Sequence, residues 1–134
     1  MTAADRRPVP VDPETLHTSP VYAQGMLAPA GPLLFVGGQN GTDAEGNLLD
    51  GVEAQSAQAA RNVLAVLEAG GTDLTHVVKL TILFVDGVDL GAAYAAVMPV
   101  WQGHRCAVSG MRVAGLGRPG ALIEIEAIAT VPAE

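Results

Sequence analysis

RCAVSGMRVAGLGRPGALIEIEAIAT, residues 105–130, reads as two strands joined by a Gly/Pro turn, a pattern that predicts a hairpin. Its second half alternates. Ile123, Ile125, Ala127 and Ala129 fall on one face, and Glu124, Glu126, Ile128 and Thr130 on the other. Two carboxylates on one face of an otherwise apolar strand fit a face left in water, common in antiparallel sheets. They also fit a cleft wall that carries an acid or base. The pattern leaves both readings open.

Upstream, residues 19–28 (SPVYAQGMLA) read as a first strand and residues 33–40 (LLFVGGQN) as a second, ending near Gly37 and Gly38. Paired glycines there permit close backbone approach. Gly46-Asn47 marks a turn. A helix follows, with Asp50 and Glu53 spaced as a capping box. Its apolar stripe is Ala60, Val63, Leu64 and Leu67, and Gly70-Gly71 ends it. Gln55, Gln58, Arg61 and Glu68 fall off the stripe. Residues 75–85 (THVVKLTILFV) are the strongest strand, with Val78, Leu80, Ile82 and Phe84 on one face and Lys79 and Thr81 on the other. Strand, helix and strand in this order suggest a crossover in a sheet covered on one side. Asp89 can cap a second helix, whose stripe is Leu90, Ala93, Tyr94, Val97, Met98 and Trp101, with Pro99 near its end. The order is β-β-α-β-α-β-β, an α+β domain over 19–134 behind a polar, Pro-rich arm over 1–18 read as flexible.

The 134 residues suffice for one domain with a real core. Hydrophobic residues make up 49% of the chain, and the mean hydropathy is +0.33. No apolar run reaches membrane-spanning length, so the surplus suggests surface buried between subunits. Net charge is −7, from 14 acids against 7 bases, without a basic stripe and with few aromatics. That balance argues against a nucleic-acid groove. A single cysteine, Cys106, excludes an internal disulfide and fits a reducing, cytoplasmic setting.

No His, Cys and carboxylate spacing forms a metal-ligand set among His17, His76, His104 and Cys106. Gly37-Gly38 and the GLGRPG segment lack the strand-to-helix context of a phosphate cradle. Cys106 lies beside Arg105 and His104, where a lowered thiol pKa is conceivable. The plainer reading is a small apolar residue opening a strand. Arg105, Arg112 and Arg118 cluster near the hairpin, and an arginine in a cleft could clamp a carboxylate.

The segments VYAQG, LLFVGGQNGTD, NVLAVLEAGGTDLTHVVKLTILFVD and ALIEIEAIA resemble the RidA/YjgF family of reactive-intermediate deaminases, from about Ser19 to Thr130. The resemblance implies a chorismate-mutase-like α+β fold. It implies a homotrimer with a central β-barrel, helices outside and clefts between subunits. It also implies hydrolysis of enamines and imines to a carbonyl compound and ammonia, without a cofactor. The substrate is a small molecule, and neither a nucleic acid nor a membrane is a partner. By the same resemblance Glu124 stands at the family's glutamate and Tyr22 at its tyrosine, the catalytic pair. Gly38 and Gln39 match a Gly-Gln pair in the pocket wall, Gly37 stands where many members carry serine, and Tyr94 replaces an asparagine.

The family's arginine follows a Pro-Ala-Arg-Ser pattern. Counting back from Leu116 without a gap, Cys106-Ala107-Val108-Ser109 takes that place, and Val108 stands at the arginine position. Arg105 matches only if the strand slips by three residues, which reverses its face. Arg112 shares the face of position 108 but lies about 13 Å along the strand. Tyr94, Arg105 and Val108, with Gly37, Gly38 and Gln39, are therefore the candidate substrate-binding residues. The alternative function is a non-catalytic trimeric small-molecule binder of the same fold.

Overall fold

The structure, a computed structural model, describes residues 6–133. Residues 1–5 of the arm expected over 1–18, and Glu134 of the expected domain, lie outside the described residues. The elements run β1 (Val9–Val11), β2 (Gly25–Leu27), β3 (Leu33–Gln39), α1 (Val52–Ala69), β4 (Val77–Val85), α2 (Leu90–Trp101), β5 (Ala107–Val113) and β6 (Ile123–Thr130). β1 and β2 pair antiparallel as a small ribbon. The other four strands form one mixed sheet in the order β3-β6-β4-β5, the α+β arrangement expected from the sequence.

β6 runs antiparallel to both of its neighbours, while β4 and β5 are parallel. α1 therefore joins two parallel strands with β6 inserted between them, a split βαβ unit. α1 packs on β3, on β6 and on α2. The residues that alternate inward on β6 are buried: Ile123, Ile125, Ala127 and Ala129 are at most 3% exposed. They meet Val63 and Leu67 of α1 in one core with Leu80, Ile82 and Phe84 of β4. The opposite face of the sheet carries no helix and exposes large apolar side chains, with Phe35 at 68%, Leu33 at 49% and Met111 at 46%.

Several local expectations change. The stretch 105–130 holds both strands but not a hairpin, because β4 lies between β5 and β6. The connection over 114–122 must cross two strand spacings, about 10 Å, which a tight turn cannot do. The first strand shrinks to Gly25–Leu27, with one isolated bridge from Ala23 to Ala107. Pro20 has no N–H to give a ladder, and the carbonyls of Ser19 and Tyr22 are taken by Arg105. Val78 leaves the core face: a bulge between Val77 and Lys79 turns fully buried Val77 inward in its place. Asp50 and Glu53 form no capping box, since Gly51 at φ 88° is the N-cap and no side chain caps the helix.

Gln55, expected to fall away from the core stripe, is only 4% exposed. Its amide Nε2 donates to the carbonyls of Leu49 (3.0 Å) and Gly120 (3.3 Å). Its Oε1 accepts from the Leu122 backbone N–H at 2.9 Å. One side chain thus pins the long β5–β6 connection to α1 just before Glu124. Gly41 allows this approach, because a Cβ there would overlap the Gln55 backbone. Gln55→Ala leaves buried backbone groups without partners and is expected to cost about 2–3 kcal/mol in urea denaturation. A loss below about 0.5 kcal/mol, the usual range of surface substitutions, would contradict this tie.

Candidate functional site

Glu124 projects from β6 onto the uncovered face of the sheet. It stands beside Leu83 of β4, whose other neighbour is Met111 of β5. Across β6, Val36 pairs with Ala127 and Gln39 with Ile125, so Gly37 and Gly38 together face Glu126 alone. This bulge brings the backbone against the glutamate. A Cβ on Gly38 would overlap the Glu124 carboxyl group. The paired glycines thus provide the close approach their composition predicted. Gln39 does not reach the carboxylate; its amide donates to the Gly37 carbonyl at 3.0 Å. Among the described residues no hydrogen bond reaches the Glu124 carboxylate, which is half-buried and uncommitted.

A second constellation forms under α2, on the covered side of the sheet. Val108 pairs with Leu80 and points with it toward the helix. Val108, Tyr94, Trp101, Val21 and His104 line a cavity of about 40 Å³ between α2 and the sheet. Burial raises the Tyr94 phenol above its ordinary pKa, with smaller contributions from Tyr22 and Cys106. The Tyr22 hydroxyl is 2.7 Å from His17 Nε2. Arg112 donates to the Val88 carbonyl at the far end of β5.

Arg105 precedes β5 and is bound through Nε and one terminal nitrogen to the N-terminal segment. Its Nε donates to the Ser19 carbonyl (2.9 Å), and one terminal nitrogen donates to the Tyr22 carbonyl (2.9 Å) and to Asp12 (2.9 Å). Together these contacts hold the backbone that carries Tyr22. Neither Asp12 nor His17 carries a sequence signal for this role; both sit in the polar arm.

A single chain does not bring all the candidate residues together. Glu124, Gly37 and Gly38 lie on the open face, whereas Val108 and Tyr94 lie on the helix-covered face. Among the described residues no group of three or more His, Cys, Asp or Glu converges as a metal site. No described helix is long and apolar enough to cross a membrane.

Cys106 is fully buried, and burial pushes its thiol up to about 12 despite the nearby Lys79. The lowered pKa that its cationic neighbours suggested does not occur, because Arg105 turns its charge toward Asp12. A thiol reagent at pH 8 should label native Cys106 at least about a hundredfold more slowly than the unfolded chain. Equal rates would contradict the burial. The Asp12 carboxyl lies below its ordinary 3.8, held down first by the Gln24 backbone N–H and then by Arg105. A lowered folded pKa stabilises the fold above the unfolded-chain value and loses that contribution as pH falls through the folded value. Asp12→Asn should therefore lower the Tm at pH 7, with the gap to wild type closing as pH drops below 3.8. A pH-independent gap would contradict the pairing.

A model of the family described as endoribonuclease L-PSP matches residues 14–131. A 2-iminobutanoate/2-iminopropanoate deaminase of Rattus norvegicus is 39% identical over 110 residues, 81% of this chain and 78% of that protein. The Homo sapiens protein of the same description is 34% identical over the same shares. Among solved structures, the Rid-family protein YyfB of Yersinia pestis matches with a TM-score of 0.83 at 28% identity, covering 94% of this chain and 100% of that one. The YjgF gene product of E. coli matches with a TM-score of 0.68 at 32% identity, over 81% and 87% of the two chains. With a family model spanning most of its length and relatives above 30% identity, the chain belongs to the endoribonuclease L-PSP family, the RidA/YjgF proteins its segments resemble.

Proposed function

We propose that the protein is a hydrolytic deaminase that converts enamine or imine intermediates to a carbonyl compound and ammonia. The observation that carries the proposal is the uncommitted Glu124 carboxylate, set over the Gly38 backbone at the position of the family's glutamate. Relatives named as imine deaminases at 34–39% identity support it. In this reading Glu124 takes a proton from water as the water oxygen bonds to the imine carbon. The C=N π electrons move to nitrogen, which takes a proton from solvent, and a tetrahedral carbinolamine forms; the hydroxyl proton lost in the last step returns to solvent. Glu124 then returns the proton to nitrogen. The C–N bond breaks, the hydroxyl proton leaves as the C=O bond forms, and ammonia departs. An enamine first takes a proton on carbon, loses one from nitrogen and enters as the imine. General acid–base help of this kind is worth on the order of 10²–10⁴ in rate.

The separation of the two half-sites supports a homotrimer. In it, the face of one subunit that carries Glu124, Gly37, Gly38 and Gln39 meets the edge of another that carries Tyr22, Tyr94, Arg105 and Val108. The exposed Phe35, Leu33 and Met111 are suited to burial in such an assembly. Arg105 acts there by holding the Tyr22 backbone in place. The free, buried thiol of Cys106 suits a cytoplasmic location. The partner is a small molecule; the net charge of −7 disfavours RNA despite the family's descriptive name.

The test is ammonia release from imines generated in place, measured for wild type and Glu124→Gln. Loss of at least about a hundredfold in turnover, with the oligomer unchanged, is expected. Unchanged turnover would overturn the role of Glu124, and no turnover by well-folded wild type on any imine would leave a binder of the same fold.

A further inference from the structure

The cavity under α2 is notable for its chemistry. None of its lining residues is an Asp, Glu, Lys or Arg. Val108, where the family's pattern has arginine, contributes an aliphatic wall. His104 has one ring nitrogen engaged, Nε2, which lies 3.1 Å from the Val77 carbonyl. Arg105, the cation nearest in sequence, commits its Nε and one terminal nitrogen to Asp12 and to the carbonyls of Ser19 and Tyr22. A carboxylate placed in this cavity would find no lysine or arginine among the lining residues. Desolvation is costly for any unpaired charge in an apolar site.

Trp101 forms part of the wall. Trp101 is only 6% exposed, and its Nε1–H has no hydrogen-bond partner. The size of the cavity is also restrictive. At about 40 Å³ it holds roughly three water-sized spheres, taking 10–15 Å³ for each. That is room for a short branched alkyl group.

From these observations we infer that the cavity receives the short aliphatic group of an uncharged imine or carbonyl compound, and that the protein selects against substrates with a carboxylate beside the reacting carbon. The inference rests on the deaminase reading above and names the substrate class of that same site. The reaction is unchanged: water adds, ammonia leaves, and a neutral ketone or aldehyde is the product.

The chain contains one tryptophan, so its intrinsic fluorescence reports on the cavity wall directly. The full-length protein is titrated with 4-methylpentan-2-one and, separately, with 4-methyl-2-oxopentanoate. Both carry the same isobutyl group on a ketone; they differ in a methyl against a carboxylate. The expected result is a saturable change in Trp101 emission, with the neutral ketone binding at least about tenfold tighter. Val108→Arg should narrow or reverse that preference. Equal or tighter binding of the keto acid by wild type would overturn the inference, whether or not the variant folds. So would an emission that neither compound changes, the outcome if a second copy of the chain fills the cavity. Ammonia release is measured in parallel from the corresponding neutral ketimine and imino acid. Selective ketone binding without ammonia release would leave the ligand class standing and remove the deaminase reading. Ammonia release with the keto acid preferred would do the reverse.

Discussion

The two-residue alternation of β6, held between β3 and β4, is the constraint on which everything else rests. Because β6 is paired on both edges, neither its register nor its faces can slip without moving every side chain to the wrong side. Ile123, Ile125, Ala127 and Ala129 go to the helices, and burying them fixes the orientation of the strand. The direction of Glu124 follows from theirs. A carboxylate that would be expensive in the core is held instead on the open face by the four apolar residues behind it.

The same alternation divides the chemistry. Val108 pairs with Leu80 and belongs to the covered side, three residues along from the row that carries Leu83, Met111 and Glu124 on the other. One device completes each half. On the open face the Gly37-Gly38 bulge admits the backbone to the carboxylate. At the covered edge Arg105 binds Asp12 and the Ser19 and Tyr22 carbonyls, so that the N-terminal segment closes against the start of β5. An arginine beside a candidate cleft invites a substrate role; here its Nε and one terminal nitrogen hold the N-terminal segment.

Much of this was legible in the sequence because it depends on periodicity. The buried face of β6, the stripe of α1, the Asp89 cap and the Gly70 terminus are local patterns, and they appear where the residues predicted them. The failures are non-local. Nothing in residues 105–130 says that β4 inserts between the two strands, since a Gly/Pro segment reads alike in a tight turn and in a long connection. Gln55 reads as a surface glutamine until the Gly120–Leu122 backbone, far away in sequence, is placed beside it. Val78 is displaced by a bulge that the unbroken apolar run VVKL conceals. The arm's Asp12 acquires meaning only through Arg105. Glu124 itself was found by its alternation and by resemblance, but that the uncovered face separates it from Tyr94 and Val108 required the topology.

In the proposed assembly neither half of the site works alone, and two subunits complete it. Subunit complementation tests this most directly. Glu124→Gln disables the open face, and Val108→Phe fills the cavity on the covered side. Each variant is purified and assayed for ammonia release, and the two are then co-expressed and assayed as mixed oligomers. If each cleft draws one face from each of two subunits, random mixing leaves about a quarter of the clefts intact, and activity returns to about that fraction of wild type. Activity of the mixture no greater than that of the two parents would place both halves of the cleft within one subunit and contradict the account.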